Sequence, residues 1–534
     1  MARWQDVNGI YQIYPRSFKD SNGDGVGDLA GMTEKLDYIK GKRTSLGIDA
    51  VWISPFYRSP MADFGYDISD YYSVDPLFGD LEDFKTFLAE AHRRNIKVMV
   101  DYVPNHTSDE HPWFKASKSS RDNEKRDWYV WRNPGSDGGP PNNWLSAFGD
   151  SAWQFNEDSG QYYLHSFLAK QPDLNWDNPE VRTAMMAVLD FWLSLGVDGI
   201  RADAVRWISK DPDFRDNQPN PDFLFGDDPY SSQRQLHSRY GPRLFDYLKE
   251  MADVVERYDN RIILFEDYQD KSLDRHAQYA AFYAVNPSVA APFNFEGLDT
   301  PYSATAFRAF IDSFQKIAGS ELRPFYCFGN HDQPRLASRM GVRQARLVAL
   351  LQLTLPGIPV IYYGDELGMQ GAKIAPGDVQ DPYERQTPGL GLGRDPERTP
   401  MQWANEAYGG FSTTDPWLQV NDDLSTVNVE TQLKDDNSSL SMYRALLELR
   451  RSSALRNGIY VEWPGSNDNV FGYSRQSEYE TLLVLLNMSE ETVTCSEDVD
   501  GEVIYTTDMS VESVLGEGIV LHPHQGVIIR RQQG

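Results

Sequence analysis

The chain has 534 residues, 40% hydrophobic and 24% charged, which is the composition of a soluble globular protein too long for one compact core. Its formal net charge of −28 repels nucleic acid and anionic membrane, so neither is expected as a partner. The two cysteines, Cys327 and Cys495, show no metal-type spacing, and the start of the chain shows no signal-peptide pattern. Together these features predict free thiols and a cytoplasmic location.

Short apolar runs alternate with helix-like stretches from the start. Candidate strands are Gly9–Tyr14, Ala50–Pro55, Lys97–Val103, Gly199–Asp203, Ile262–Glu266, Pro292–Phe295, Phe325–Gly329 and Pro359–Tyr363. Leu81–Asn95 has helical apolar spacing and a basic end, as a helix C-terminus prefers. Pro179–Leu195 follows Asn178 as a cap and ends at Gly196. Eight strands alternating with helices predict an α/β fold, a (β/α)8 TIM barrel, formed by residues 1–103 and 178–454. Residues 104–177 are too long for a bare loop and predict an inserted subdomain after the third strand, over the catalytic face. A helix near Leu440–Arg451 should close the barrel. From 455 to 534 short β-type runs predict a C-terminal all-β, sandwich-like domain.

Three of the strand-like runs end in an acid: Asp203 in GIRADA, Glu266 in IILFED and Asp332 in FGNHD. In a β/α barrel, strand ends that face one way converge. Convergent carboxyl groups are what glycosidic bond cleavage needs. Arg201 and Asp203 are two apart on a strand and face the same region, so the guanidinium would keep the acid ionised, as a nucleophile requires. Read alone, the pair is equally an ion pair that braces a strand end. Glu266 leaves a fully apolar strand, where partial desolvation suits a general acid. Asn330, His331 and Asp332 cluster after the seventh strand, where they would hold sugar hydroxyls and steady developing positive charge, or simply form a capped turn. Asp101, Asn105 and His106 form a fourth cluster. His106 can donate to a sugar hydroxyl, while Asp101 and Asn105 brace the loop.

A separate signal is Asp20-Ser-Asn22-Gly-Asp24-Gly-Val26-Gly-Asp28. Oxygen ligands at positions one, three, five and nine, with a carbonyl at seven, match the start of a calcium loop, although Gly31 stands where an EF-hand has its closing Glu. The expectation is one structural Ca²⁺ or Mg²⁺ ion; a metal-free Asx-rich turn is the alternative. No organic cofactor is expected, because no phosphate-cradling loop or nucleotide fingerprint is present.

DYVPNH, GIRADA, FED and FGNHD resemble, in order, the four signature regions of the alpha-amylase family of glycoside hydrolases. QPDLNW and GIPVIYYGDELGM resemble two more, and DSNGDGVGDL with RTPMQW resembles the oligo-1,6-glucosidase and alpha-glucosidase branch. The resemblance implies Asp203 as nucleophile, Glu266 as acid/base and Asp332 as stabiliser of the distorted sugar. It implies Asp63, Tyr66, His106, Arg201, His331 and Arg398 around the non-reducing glucose, with Asp63 and Arg398 closing the pocket behind it, and Phe148 and Phe167 as aromatic walls. It carries the metal set over to Asp20, Asn22, Asp24, Val26 and Asp28. Phe265 departs from the Gly that many relatives have before the catalytic Glu, which points to an unusual leaving-group side. Ala204 after the nucleophile resembles α-1,4-preferring members, where a Val resembles α-1,6-preferring ones. The expected activity is a retaining exo-acting α-glucosidase on short oligosaccharides or disaccharides, with transglucosylation beside it. The rivals are a sucrose isomerase or trehalose synthase-like enzyme on the same scaffold, and a non-catalytic relative.

Overall fold

The computed structural model describes residues 3–268, 274–318, 322–508, 513–514 and 518–531. Eight parallel strands close into a barrel: β1 (Ile10–Ile13), β2 (Ala50–Ile53), β3 (Lys97–Tyr102), β4 (Gly199–Ala202), β5 (Ile262–Phe265), β6 (Ala290–Asn294), β7 (Phe325–Cys327) and β8 (Ile358–Tyr362). Each falls within two residues of the expected run. Every residue of these strands is buried, because the barrel interior lies on one side and the helical ring on the other.

The helices form where their ends are satisfied. Helix α1 (Leu81–Arg93) opens with a reciprocal capping box between Asp80 and Asp83, and turns Phe84, Phe87, Leu88 and Ala91 inward. Helix α2 (Pro179–Ser194) starts with Asn178 accepting the Glu180 N–H, and Gly196 follows it at φ +107°. Helix α3 (Ser439–Leu449), capped by Ser438, packs on the helix Val342–Thr354 after the eight barrel units.

Register places the acids. Ala202 pairs with Phe265, so Asp203 and Glu266 are the next residues on adjacent parallel strands and leave the sheet at one level. Asp101 pairs with Arg201, which brings the third strand's acid to the same guanidinium.

The segment after β3 forms the helix Pro112–Ser119 and a three-stranded antiparallel sheet around Val130, Trp144, Ala152, Trp153 and Leu164. A second excursion, between β4 and the helix Leu244–Val255, was not foreseen. Pro212, Pro219, Pro221 and Pro229 keep it from becoming a helix, and it folds as short helical turns with a two-stranded ribbon, Gln218–Pro219 against Gln233–Arg234. The C-terminal region has a five-stranded antiparallel sheet and a three-stranded one. Arg475 fastens it to the barrel by donating to the carbonyls of Thr354, Leu455 and Gly458.

Candidate active site

A cavity of about 310 Å³ opens at the C-terminal ends of the strands. Asp63, Tyr66, His106, Phe148, Phe167, Asp203, Glu266 and Asp332 all line it. Arg201, His331 and Arg398 lie directly behind that lining, each 1% exposed or less.

Arg201 is shared by three carboxylates. One Nη donates to Asp203, the other lies 2.7 Å from Glu266 Oε1, and Asp101 is 3.4 Å away. Burial is the largest influence on Asp203 and pushes its carboxyl well above the ordinary range; Arg201 opposes this, while Glu266 and Asp101 add to it. The Arg201 pairing foreseen from the sequence therefore exists, but it does not outweigh the burial of Asp203. Burial likewise lifts Asp101 to about 6 against the pull of Arg201. The other oxygen of Glu266 accepts the Ala204 N–H at 2.6 Å. Ala204 holds a left-handed conformation, φ +48°, which costs a non-glycine residue energy and aims that N–H across to β5.

Asp332 is held differently. Arg398 lies 2.8 Å from its Oδ1, and Arg394 lies 3.4 Å away. Burial works against ionisation, yet His331, followed by Arg398, Arg394 and Arg201, outweighs it and holds Asp332 well below the usual carboxylate range. His331 is pushed down to about 3, first by burial and then by three arginines, so at neutral pH the guanidiniums act on Asp332 alone. The neutral His331 ring stacks on Tyr66 at 3° between planes and contacts Gln12 Nε2 at 2.7 Å and the Tyr66 hydroxyl at 2.6 Å. Tyr66 in turn donates to Asp101 at 2.9 Å.

His106 is pushed down to about 4 by burial, against the opposite pull of Asp173. Its Nε2 lies 3.1 Å from Gln171 Nε2, which donates to it and also lies 3.1 Å from Asp63 Oδ2. Phe167 sits between His106 and Trp207, and Phe148 packs against Phe167 and Tyr383.

Asp63 is paired with Arg394, at 2.8 Å. Arg394 also lies 2.6 Å from the buried Asp381, and its guanidinium covers the Phe148 ring at 5.2 Å to the centroid. Neither Arg394 nor Asp381 was singled out from the sequence, and nothing in the local pattern of Arg394 announces an ion pair with Asp63, 331 positions away. Trp207, Tyr230, Tyr268 and Tyr383 also line the cavity and were missed.

In the loop from Asp20 to Asp28, Asp20 accepts the N–H groups of Asn22, Gly23 and Gly25 and the Ser412 hydroxyl. Asn22 and Asp24 each accept the N–H two residues on. Asp28 accepts from Ser21 and caps the helix Leu29–Glu34 through Gly31. The spiral suits an oxygen-coordinated cation, but Asp20 and Asp28 are occupied by protein donors. Among the described residues, no three acidic, His or Cys side chains are grouped as for a metal ion.

Residues 12–458 match the alpha amylase catalytic domain. The chain belongs to the alpha-amylase family. Among relatives of this alpha-amylase family member, a probable alpha-glucosidase of Rhizobium meliloti (strain 1021) is 42% identical over 91% of this chain and 89% of its own. An oligo-1,6-glucosidase of Parageobacillus thermoglucosidasius is 38% identical over 92% and 91%. The solved structure of the alpha-glucosyl transfer enzyme XgtA superposes with a TM-score of 0.91, at 39% identity, over 100% of both chains.

Proposed function

We propose a retaining, exo-acting α-glucosidase that releases glucose from the non-reducing end of short α-glucosides. The observation that carries this reading is the pair Asp203 and Glu266, level on adjacent strands, joined through Arg201 at the floor of one cavity.

In the first step an Asp203 oxygen attacks the anomeric carbon while Glu266 gives its proton to the leaving glycosidic oxygen. In the second, Glu266 takes a proton from water, whose oxygen attacks the same carbon and frees Asp203. The closest contact of Arg201 falls on Asp203, where it opposes the rise that burial imposes on that carboxyl. Asp332, kept anionic by two arginines, faces the positive charge that develops on the sugar ring. The Asp63–Arg394 bridge under Phe148 serves as the wall behind the terminal glucose, which supports exo action.

Ala204 leaves room beside the nucleophile and favours α-1,4 linkages. The likeness to XgtA favours a second activity, glucosyl transfer to an acceptor other than water. The product profile on maltose, isomaltose, sucrose, trehalose and kojibiose tests both. Asp203→Asn should abolish turnover of p-nitrophenyl α-glucoside, and substantial remaining hydrolysis would end this assignment. A structural Ca²⁺ or Mg²⁺ in the Asp20–Asp28 loop is proposed on the oxygen spacing, in competition with the donors already there. Metal analysis of purified protein, and its unfolding temperature with and without chelator, test it. The two buried, unpaired thiols support a reducing, cytoplasmic setting.

A further inference from the structure

At the opposite end of the barrel from the acids, a second cavity of about 370 Å³ is enclosed by the residues entering β1, β2, β3, β7 and β8 and by the chain after α3. Its charged lining is Lys40, Arg323, Arg450, Arg451 and Arg456 against only Asp6 and Asp49. A basic cavity is unexpected by composition in a chain with net charge −28.

The two acids are already used. Asp49 lies 2.7 Å from Lys40, and Asp6 lies 3.1 Å from Arg456. Arg451 lies 3.4 Å from the outward Glu448 and donates to the Gly47 carbonyl at 2.9 Å. Among the described residues, Arg323 and Arg450 have no carboxylate at ion-pair distance and donate to neutral oxygens. Arg450 reaches the carbonyls of Asn8, Leu353, Leu355 and Gly357. Arg323 reaches the Gln5 carbonyl at 2.6 Å and Asn457 Oδ1 at 3.2 Å. A guanidinium has five N–H donors, so Arg323 keeps most of its own for a ligand. Burial, followed by Arg475 with Arg323 nearby, pushes Arg450 down to about 9, as expected for crowded cations without a counter-ion.

We propose that this cavity binds a phosphate group, free or carried on a small sugar, with Arg323 and Arg456 as its principal donors and the buried Arg450 as positive charge behind them. Planar guanidiniums pair with phosphate oxygens in short, charge-assisted bonds, and a dianion would offset the positive charge left over once Asp6 and Asp49 are paired. The volume admits a phosphomonoester of a hexose as well as the free ion. The site lies across the barrel from the catalytic cavity and shares no residue with it.

The test is titration calorimetry and thermal unfolding of the full chain with inorganic phosphate and, separately, glucose 6-phosphate. Glucose, and sodium chloride at matched ionic strength, are the controls. The expected result is saturable binding of inorganic phosphate with a rise in unfolding temperature that chloride does not reproduce. Tighter binding of glucose 6-phosphate than of both phosphate and glucose would identify a sugar phosphate as the source; equal binding would identify the free ion. Arg323→Gln and Arg456→Gln should each weaken phosphate binding by roughly tenfold or more, the loss of one charge-assisted contact, while hydrolysis of p-nitrophenyl α-glucoside is unchanged. Arg456 is half exposed, so its variant keeps the test decisive should Arg323→Gln misfold. Absence of saturable binding, or binding equal in wild type and Arg456→Gln, would overturn the proposal.

Discussion

Replacing Arg394 with Met should unsettle the active site more than any other single change outside the catalytic acids, and should do so with a distinctive pH dependence. Arg394 joins Asp63 at 2.8 Å, Asp381 at 2.6 Å and Asp332 at 3.4 Å. Asp332 keeps Arg398 in the variant, and Asp63 keeps Gln171. Asp381 keeps only the residue 394 backbone N–H, and its side chain has no exposure. Removing one partner from a buried pair costs about 3–5 kcal/mol, because the remaining charge is left in low dielectric. In the wild type, burial opposes ionisation of Asp381 but Arg394 prevails, so its folded pKa lies below the ordinary value. A depressed carboxylate contributes stability that is present above the unfolded pKa and lost as pH falls through the folded one. In Arg394→Met, burial acts unopposed by Arg394 and the sign reverses, so the variant recovers stability as Asp381 takes up a proton. Urea unfolding at pH 7.5 and pH 5 should therefore show a deficit of several kcal/mol that narrows at the lower pH, with kcat/KM reduced at both. A deficit of equal size at the two pH values, or one below about 1 kcal/mol, would refute the charge argument and reduce Arg394 to a packing residue.

Three further outcomes follow from the same geometry. Asp332→Asn should lower kcat by roughly 10²–10³, the usual cost of a lost electrostatic stabiliser, with KM changed far less; a loss confined to KM would show that Asp332 only holds substrate. His106 and His331, pushed down to about 4 and about 3, are neutral from pH 5 to 8, so the limbs of the pH–kcat/KM profile there should stay in place in His106→Asn; a shift of the acid limb by a unit would contradict this. Cys327 is buried, and burial pushes its thiol well above the ordinary range, so it should resist alkylation in the folded enzyme and react only on unfolding, as mass spectrometry would show.

The barrel was legible because its strands are apolar on both sides and bounded by turn residues, so all eight could be placed within two residues of their observed ends. The level placement of Asp203 and Glu266 follows from parallel register alone. What was not legible has a common cause. Arg394, Asp381 and Tyr383 lie in a Gly/Pro-rich excursion with no period to read, and their roles depend on partners brought close only by closure of the barrel. Arg394 caps the 3₁₀ segment that ends in Arg398, and of the two only Arg394 reaches the cavity lining. The Asx ladder of the Asp20–Asp28 loop was visible in its spacing. Ser412, which occupies an Asp20 oxygen from 392 residues away, was not.

The division of labour among the acids is a matter of how many guanidiniums each one shares. Arg394 and Arg398 both reach Asp332, the most exposed of the cavity's acids, with 24% of its side chain accessible. Two cations on one half-open carboxylate fix it as an anion across the working pH range. Arg201 faces the reverse arithmetic, with Asp101, Asp203 and Glu266 around one cation in a dry site. Burial raises Asp203 and Asp101 above the ordinary carboxyl range although Arg201 pulls both down. The proposed retaining mechanism asks for an anion facing the developing cation, the role given to Asp332, and a nucleophile and acid acting together, the roles given to Asp203 and Glu266. The barrel supplies both from the same residue types, by giving Asp332 two arginines and the other three acids only one.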